Sequence, residues 1–105
     1  MLAEARARIV RYTPEALRAD PELLIVDIRS RDERERTGVI AGSKHVPYSV
    51  LPWRADQTSK WCDEELAGRR LCLVCAHGYS SSLAAAQLVG LGVDAGDLIG
   101  GYEAW

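Results

Sequence analysis

The residues best placed to do chemistry are a cysteine and the short loop that follows it. Cys75 closes the apolar run of residues 71–75, which predicts a buried strand, and a helix is predicted over residues 81–91. A helix that follows a parallel strand directs its unpaired N-terminal amides and its positive dipole end towards the end of that strand. This position favours a thiolate, which is the nucleophilic form of cysteine.

The composition of the intervening loop fits the same chemistry. Gly78 lets the backbone turn without the steric penalty of a Cβ atom. Ser80, Ser81 and Ser82 supply hydroxyls that could cap the helix or bind an anion. The pattern also fits a second interpretation, in which Cys75 is only a small buried apolar residue at a strand end. The residues alone leave both interpretations open.

The flanking segments predict the elements that would hold this loop. Thr13 and Pro14 are typical of a helix start, and the continuous apolar run of residues 23–26 predicts a strand covered on both faces. Residues 29–37 predict a short exposed helix or turn, residues 63–67 predict one or two helical turns, and residues 95–98 predict a further strand. Strands that alternate with helices indicate an α/β fold with a mostly parallel sheet.

Length and composition exclude several classes of protein. A chain of 105 residues fits a single domain over residues 1–105, and 48% apolar with 27% charged residues is globular composition. The net charge of −2 gives no case for a nucleic-acid or membrane partner. There is no apolar run that could span a bilayer, and the N-terminus lacks the apolar centre of a secretory signal. Three cysteines form no disulfide framework, so we expect a cytoplasmic protein with reduced thiols.

Four segments, in order, resemble the motifs of the rhodanese-like domain family. Residues 75–85 are similar to its active-site loop and helix, C-x-x-G-x-R-S-x-x-A-A. Residues 24–29 look like its strand ending in D-x-R, residues 38–47 like its G-H-I-x-G-A-x-x-I-P stretch, and residues 100–105 like its closing G-G-x-x-A-W. The resemblance covers about residues 10–105, and four ordered matches are far more specific than any single one.

The resemblance implies a five-stranded, mostly parallel sheet flanked by helices, and a sulfurtransferase or persulfide carrier that needs neither metal nor organic cofactor. Cys75 would be the catalytic nucleophile, and it would pass sulfane sulfur from a small donor or persulfide to cyanide or to a small or protein thiol. The implied alternative is a non-catalytic binding or redox-sensing module. The loop that would cradle the persulfide anion comprises Ala76, His77, Gly78, Tyr79, Ser80 and Ser81.

The loop departs from the family pattern where charge matters. Ser80 stands where the family often has Arg, and Val39 stands where it usually has His. Without Lys or Arg in the loop, only a protonated His77 supplies positive charge to a doubly charged donor. We therefore expect weak activity with thiosulfate, or a different donor. A phosphatase or arsenate reductase of related fold would need Arg at the position of Ser81, which argues against those activities.

The remaining candidate residues carry weaker predictions. Cys72 and Cys75 form a C-x-x-C, but an odd offset on one strand places them on opposite faces, so we expect no disulfide between them. A zinc site would need Cys62, His45 or His77 to converge, and no spacing signature supports one. Asp27 and Arg29 are candidate supporting residues, although Asp27 has a simpler role in bonding backbone amides or Arg29 itself. Trp53 and Trp61 are candidates for the rim of the pocket.

Overall fold

The protein is built on one parallel sheet, seen in a computed structural model that describes residues 1–105. The strand order is β1-β5-β4-β2-β3 and every neighbouring pair is parallel. The predicted α/β class and five-stranded sheet are confirmed, and the sheet is wholly rather than mostly parallel. The strands are β1 (Val10–Tyr12), β2 (Leu24–Asp27), β3 (Lys44–His45), β4 (Leu71–Val74) and β5 (Ala95–Leu98).

Six short helices and one 3-10 turn connect the strands. Thr13 caps the second helix, since its hydroxyl oxygen accepts the Ala16 N–H at 3.1 Å. Ser30 and Glu33 form a capping box at the start of the third helix, within the charged stretch. The helices are α1 (Leu2–Ala7), α2 (Pro14–Ala19), α3 (Arg31–Thr37), α4 (Leu51–Ala55), α5 (Ser80–Gly90) and α6 (Gly101–Ala104), with the 3-10 turn at Tyr48–Val50.

The central strand β4 divides the core into two layers. Its four residues are fully buried, which explains why the run is apolar without alternation. Leu71 and Leu73 pack in the larger cluster with Leu88 of α5, whereas Cys72 and Val74 pack in the smaller cluster with Leu17 of α2. Both faces of the sheet are therefore covered, and the carboxyl end of β4 is left at the edge where loops meet.

One local prediction from the sequence is wrong, and two short strands were not predicted. Residues 63–67 form turns rather than a helix. The Asp63 carboxylate accepts the Glu65 N–H at 3.0 Å and binds Lys44 at 2.8 Å, and this side-chain bonding to the backbone competes with helix formation. The strands β1 and β3 have only three and two residues, and segments this short show no hydrophobic periodicity from which a strand could be predicted.

None of the helices combines the length and the apolar composition that crossing a bilayer requires. The longest is α5, and its buried face is made largely of alanine and serine. These small side chains let the helix backbone approach the sheet closely, so the N-terminal turn of α5 lies directly behind the loop that follows β4.

Candidate active site

Cys75 lies immediately after β4, at the base of a cavity of about 470 Å³. The residue is 7% exposed, and its Sγ accepts the N–H of Gly78 at 3.1 Å and the N–H of Ser81 at 3.3 Å. Ser81 is in the first turn of α5, so the helix N-terminus does face the sulfur. Two main-chain donors therefore already surround Sγ in a position open to a small molecule.

Four further loop amides have no acceptor within the protein. The N–H groups of Ala76, His77, Tyr79 and Ser80 donate to no protein atom. These same four residues line the cavity beside Cys75, whereas Gly78 and Ser81 do not. Unpaired amides next to a cavity are donors for whatever anion enters it. The loop therefore has two amides that donate to Sγ and four that can donate to a bound anion.

The loop keeps this shape because α6 binds its carbonyl groups. The Tyr102 N–H donates to the Cys75 oxygen at 2.8 Å, and the Glu103 N–H donates to the Ala76 oxygen at 3.1 Å. Gly78 adopts a φ of +86°, and a Cβ there would lie 2.9 Å from the Gly100 nitrogen. With the Cys75 and Ala76 carbonyls turned towards α6, the loop leaves its N–H groups to the sulfur side.

A buried carboxylate lies beneath the loop. Asp97 of β5 is fully buried; its Oδ1 accepts from Arg11 Nε at 2.8 Å, and its Oδ2 accepts from Arg11 Nη2 at 3.2 Å. The same Oδ2 accepts from the Ser81 hydroxyl at 2.8 Å and from the Ser82 hydroxyl at 2.7 Å. The Ser81 hydroxyl oxygen also lies 3.3 Å from Cys75 Sγ, and it links the carboxylate to the sulfur.

Two arginines hold the loop from the same side. Arg6 Nη2 donates to the Gly78 oxygen at 2.9 Å, and Arg11 Nη2 donates to it at 3.3 Å. Sequence reasoning missed Asp97, Arg6 and Arg11. One signal was available, since an acidic residue within an otherwise buried strand needs a partner. Identifying that partner requires the β1–β5 register, in which Arg11 and Asp97 are paired.

Asp27 and Arg29 form an ion pair on the other side of the cavity. Arg29 donates to Asp27 through Nε at 3.0 Å and Nη2 at 2.8 Å, and Arg34 adds a contact at 3.2 Å. Burial by itself would raise the pKa of Asp27, but the hydrogen bonds and charges of Arg29 and Arg34 outweigh it and hold that pKa below its ordinary value. The predicted Asp27–Arg29 bond is therefore present.

Arg29 lines the cavity but is not a free cation. Besides Asp27, its Nη1 donates to the Thr37 hydroxyl oxygen at 2.7 Å and its Nη2 to the Gly38 oxygen at 2.7 Å. Its guanidinium also stacks on the Tyr102 ring, 4.0 Å from the centroid. The Asp27 bond holds the pKa of Arg29 above its ordinary value. Its charge is thus offset by a carboxylate before any substrate arrives.

The loop side chains at the mouth are exposed. His77 pairs through Nδ1 with the Glu103 carboxylate, and Tyr79 and Ser80 face solvent. His45 contacts the Arg29 carbonyl oxygen at 2.8 Å and does not line the cavity. The mouth therefore offers one imidazole beside a carboxylate, but no Lys or Arg from the loop.

The C-x-x-C cysteines lie on opposite faces of the sheet, as the strand spacing predicts. Cys72 packs in the smaller core cluster and Cys75 in the larger, and both are free thiols. Burial, with a smaller contribution from the charge of Asp97, raises the pKa of Cys72 to about 12. No three His, Cys, Asp or Glu side chains converge in an arrangement that could hold a metal ion.

The prediction that Trp53 and Trp61 line the rim is wrong. Both rings border a separate apolar surface depression with Val50 and Arg54. The rim of the Cys75 cavity is instead formed by the 3-10 turn and by the start of α3, including Tyr48 and Glu33. The sequence could not reveal this, since the stretch between β3 and β4 has no regular pattern.

Comparisons with known proteins match this chain to one family model and to several solved structures. A sequence model of the rhodanese-like domain matches residues 13–105. A Rhodopseudomonas palustris protein of unknown function, described as a possible tyrosine phosphatase, superposes with a TM-score of 0.91 at 29% identity, covering 99% of this chain and 84% of that one. A rhodanese-like domain protein from Staphylococcus aureus gives 0.74 at 26% identity, covering 92% and 91%.

A more distant likeness concerns the fold alone. A thiosulfate sulfurtransferase from Pseudomonas aeruginosa gives a TM-score of 0.71 at 22% identity, and the match covers 93% of this chain but 18% of that one. A search of curated proteins finds no match.

Proposed function

The chain belongs to the rhodanese-like domain family, and from that premise we propose that it is a sulfurtransferase that carries sulfane sulfur as a persulfide on Cys75. One observation supports the proposal above the others. Cys75 Sγ already receives two main-chain N–H groups, and the four loop residues whose amides are unpaired line the adjoining cavity. A persulfide anion adds one sulfur and carries its negative charge on that outer atom, beyond Sγ, where these amides can donate to it.

In the first half-reaction the Cys75 thiolate attacks the outer sulfur of a donor. With thiosulfate, the new Sγ–S bond forms as the S–S bond of the donor breaks, and sulfite leaves with the bonding electron pair. The product is a Cys75 persulfide anion. The amides of Gly78 and Ser81 keep Sγ in place, while those of residues 76, 77, 79 and 80 receive the charge on the outer sulfur.

In the second half-reaction an acceptor removes the outer sulfur. Cyanide attacks it, the bond between Sγ and the outer sulfur breaks, and thiocyanate leaves as the Cys75 thiolate is regenerated. A small or protein thiolate would take the sulfur in the same way and become a persulfide itself. The protein contributes position and charge stabilisation, and no step needs a metal or an organic cofactor.

The charges at the cavity argue for donors of low charge. The loop has no Lys or Arg, Arg29 is paired with Asp27, and His77 is paired with Glu103. A doubly charged donor such as thiosulfate therefore meets only main-chain dipoles. Neutral or singly charged persulfides are the class of donor that this cavity suits, and thiosulfate is expected to bind weakly.

Turnover of thiosulfate and cyanide tests the proposal, with thiocyanate as the measured product. We expect slow formation at high thiosulfate concentration, and loss of activity in Cys75→Ser, whereas Cys72→Ser retains it. Mass spectrometry of the protein after incubation with a persulfide donor should find one extra sulfur on the peptide that contains Cys75. Absence of the extra sulfur with every donor class would contradict the proposal.

A non-catalytic, redox-sensing module is the second candidate, since the same amides would stabilise a thiolate that oxidants attack. It predicts rapid sulfenic acid formation on Cys75 with hydrogen peroxide and no turnover with any sulfur donor. Comparing both reactions on one preparation separates the two candidates.

The R. palustris relative raises the question of phosphatase activity. Here the loop ends at Ser81, where those enzymes need an Arg, so no guanidinium is available for a phosphate group. The Ser81 hydroxyl itself donates to Asp97. We therefore expect no hydrolysis of an aryl phosphate above the rate of Cys75→Ser. Measurable hydrolysis that depends on Cys75 would favour the phosphatase assignment.

A further inference from the structure

The buried carboxylate of Asp97 has no part in the sulfur cycle proposed above. It lies one hydroxyl away from the reactive sulfur, because Ser81 Oγ is 2.8 Å from Asp97 Oδ2 and 3.3 Å from Cys75 Sγ. Burying a carboxylate costs free energy even when it is paired. A fully buried Asp97 beneath the loop therefore calls for a functional explanation beyond packing.

The direction of the single Ser81 hydroxyl proton determines whether Ser81 is a donor or an acceptor towards Cys75 Sγ. The shorter contact directs that proton to Asp97, so that an oxygen lone pair faces Cys75 Sγ. This arrangement accepts the S–H proton of a neutral thiol. It does not suit an anionic sulfur, which would face the lone pair of Ser81 instead of a donor.

We propose, on the basis of the sulfurtransferase function, that Asp97 is a positioning residue that switches Ser81 between two states. In the resting thiol, Asp97 holds the Ser81 proton and Ser81 accepts from Cys75. When Sγ becomes a thiolate or part of a persulfide, the Ser81 hydroxyl turns towards it and becomes a third donor beside the Gly78 and Ser81 amides.

The remaining partners of Asp97 keep its carboxylate hydrogen-bonded after this rotation. After Ser81 turns away, the carboxylate keeps both Arg11 contacts and the Ser82 hydroxyl at 2.7 Å. These partners occupy both oxygens of the carboxylate, and its hydrogen-bonded path to Cys75 Sγ runs through the Ser81 hydroxyl. Asp97 thus acts through Ser81 on the sulfur and does not touch the substrate.

Apart from Asp97 and Arg11, the charged groups around Cys75 are left unaltered in the test of this switch. The two phenols of the cavity, Tyr48 and Tyr79, are not altered either. The charged and titratable groups nearest the site from the other elements are Arg6 of α1, Arg11 of β1, Arg29 after β2, Glu33 of α3, His77 of the loop and Glu103 of α6.

The pH profile of Cys75 alkylation by iodoacetamide tests the proposal on the thiol itself, followed on the Cys75 peptide by mass spectrometry. Asp97→Asn removes the charge and frees Ser81 to donate, so the midpoint of the profile should move to lower pH by about one unit. Arg11→Gln, at a partly exposed position, strengthens the hold of Asp97 on Ser81 and should move the midpoint to higher pH. The bare charges of Asp97 and Arg11 would also give opposite signs, so the part played by the Ser81 hydroxyl is measured by repeating the comparison without it.

A double-mutant cycle separates the hydroxyl from the charge. In a Ser81→Ala background the effect of Asp97→Asn should fall to about half or less, because only the through-space charge of Asp97 remains. Equal shifts in both backgrounds, or no shift in either, would overturn the switch. Labelling of Cys62 in the same samples is the internal control and should not change.

The outcome is independent of sulfur transfer. Alkylation needs only the thiolate, so a protein that never turns over a donor can still show or lack the shift. If Asp97→Asn does not fold, as judged by circular dichroism, Arg11→Gln is compared in the wild-type and Ser81→Ala backgrounds instead. A smaller upward shift without the Ser81 hydroxyl supports the proposal, whereas an unchanged midpoint, one at lower pH, or equal shifts in both backgrounds contradict it.

Discussion

The backbone of Gly101 packs against the carbonyl oxygen of Cys75, and an ideal Cβ at position 101 would lie 2.4 Å from that oxygen. Gly101 also adopts a φ of +66°, in the region that L side chains rarely occupy. This contact lets the amides at the start of α6 reach the carbonyls of the active-site loop. The glycine pair at the end of β5 is therefore part of what shapes the loop.

Replacing Gly101 with alanine should be strongly destabilising. The added methyl combines a backbone clash with the cost of a left-handed conformation, and we expect a loss of about 2–4 kcal/mol in the free energy of unfolding. Urea unfolding measures it. Gly92→Ala is the matched control, because Gly92 has a φ of +84° with no heavy atom within 4 Å of its would-be Cβ. It should lose only about 1 kcal/mol. Equal losses would contradict the role of the Gly101–Cys75 contact.

The parts of the site whose residues are close together in the sequence could be predicted from it. Cys75, its loop and the helix that follows occupy consecutive positions, so the strand-loop-helix pattern identifies them together. Asp97 and Arg11 could not be found this way, because their pairing depends on two strands 86 residues apart coming into register. The Asp27–Arg29 pair could be predicted, because a single residue separates its members at one strand end.

Substituting Asp27 with asparagine should also destabilise the protein, by a different mechanism. The amide removes the charge that compensates Arg29, whose side chain is 2% exposed, and leaves a buried cation without its partner. Breaking a buried pair on one side costs about 3–5 kcal/mol. Thermal or urea unfolding at neutral pH measures the loss. Asp56→Asn is the control: that carboxylate bonds only Thr58 in an exposed turn, and its loss should cost far less.

The same carboxylate predicts how stability depends on pH. The folded-state pKa of Asp27 lies below its ordinary value of 3.8, so the folded protein binds fewer protons there than the unfolded chain does. Its stabilisation is therefore fully present above about pH 4 and is lost as the pH falls through the lower folded-state pKa. Wild-type stability should decline in that acid range, and the decline should be smaller in Asp27→Asn. Equal declines would show that Asp27 is not responsible.

Placing an arginine at position 80 should improve the use of thiosulfate. Ser80 is exposed at the mouth of the cavity, where the sequence has Ser instead of the family's usual Arg. A cation about 4 Å from a doubly charged donor in a solvated site lowers its free energy by roughly 1–2 kcal/mol. We expect Ser80→Arg to raise kcat/KM about five- to tenfold, mostly by lowering KM, with the gain reduced at high salt. Ser80→Gln, similar in reach but neutral, is the control, and the same gain in it would contradict the electrostatic explanation.

The two cysteines of the C-x-x-C should differ sharply in reactivity. Burial raises the pKa of Cys72 to about 12, so about one molecule in ten thousand has a Cys72 thiolate at pH 8. Cys75 borders the cavity and Cys62 is partly exposed, so alkylation of the native protein at pH 8 should modify these two and spare Cys72. Peptide mass spectrometry measures the three sites, with denatured protein, in which all three react, as the control. Because the two thiols face opposite layers of the core, mild oxidants should form no Cys72–Cys75 disulfide. Native labelling of Cys72 at a rate near that of Cys75 would show that the β4 face carrying Cys72 opens to solvent.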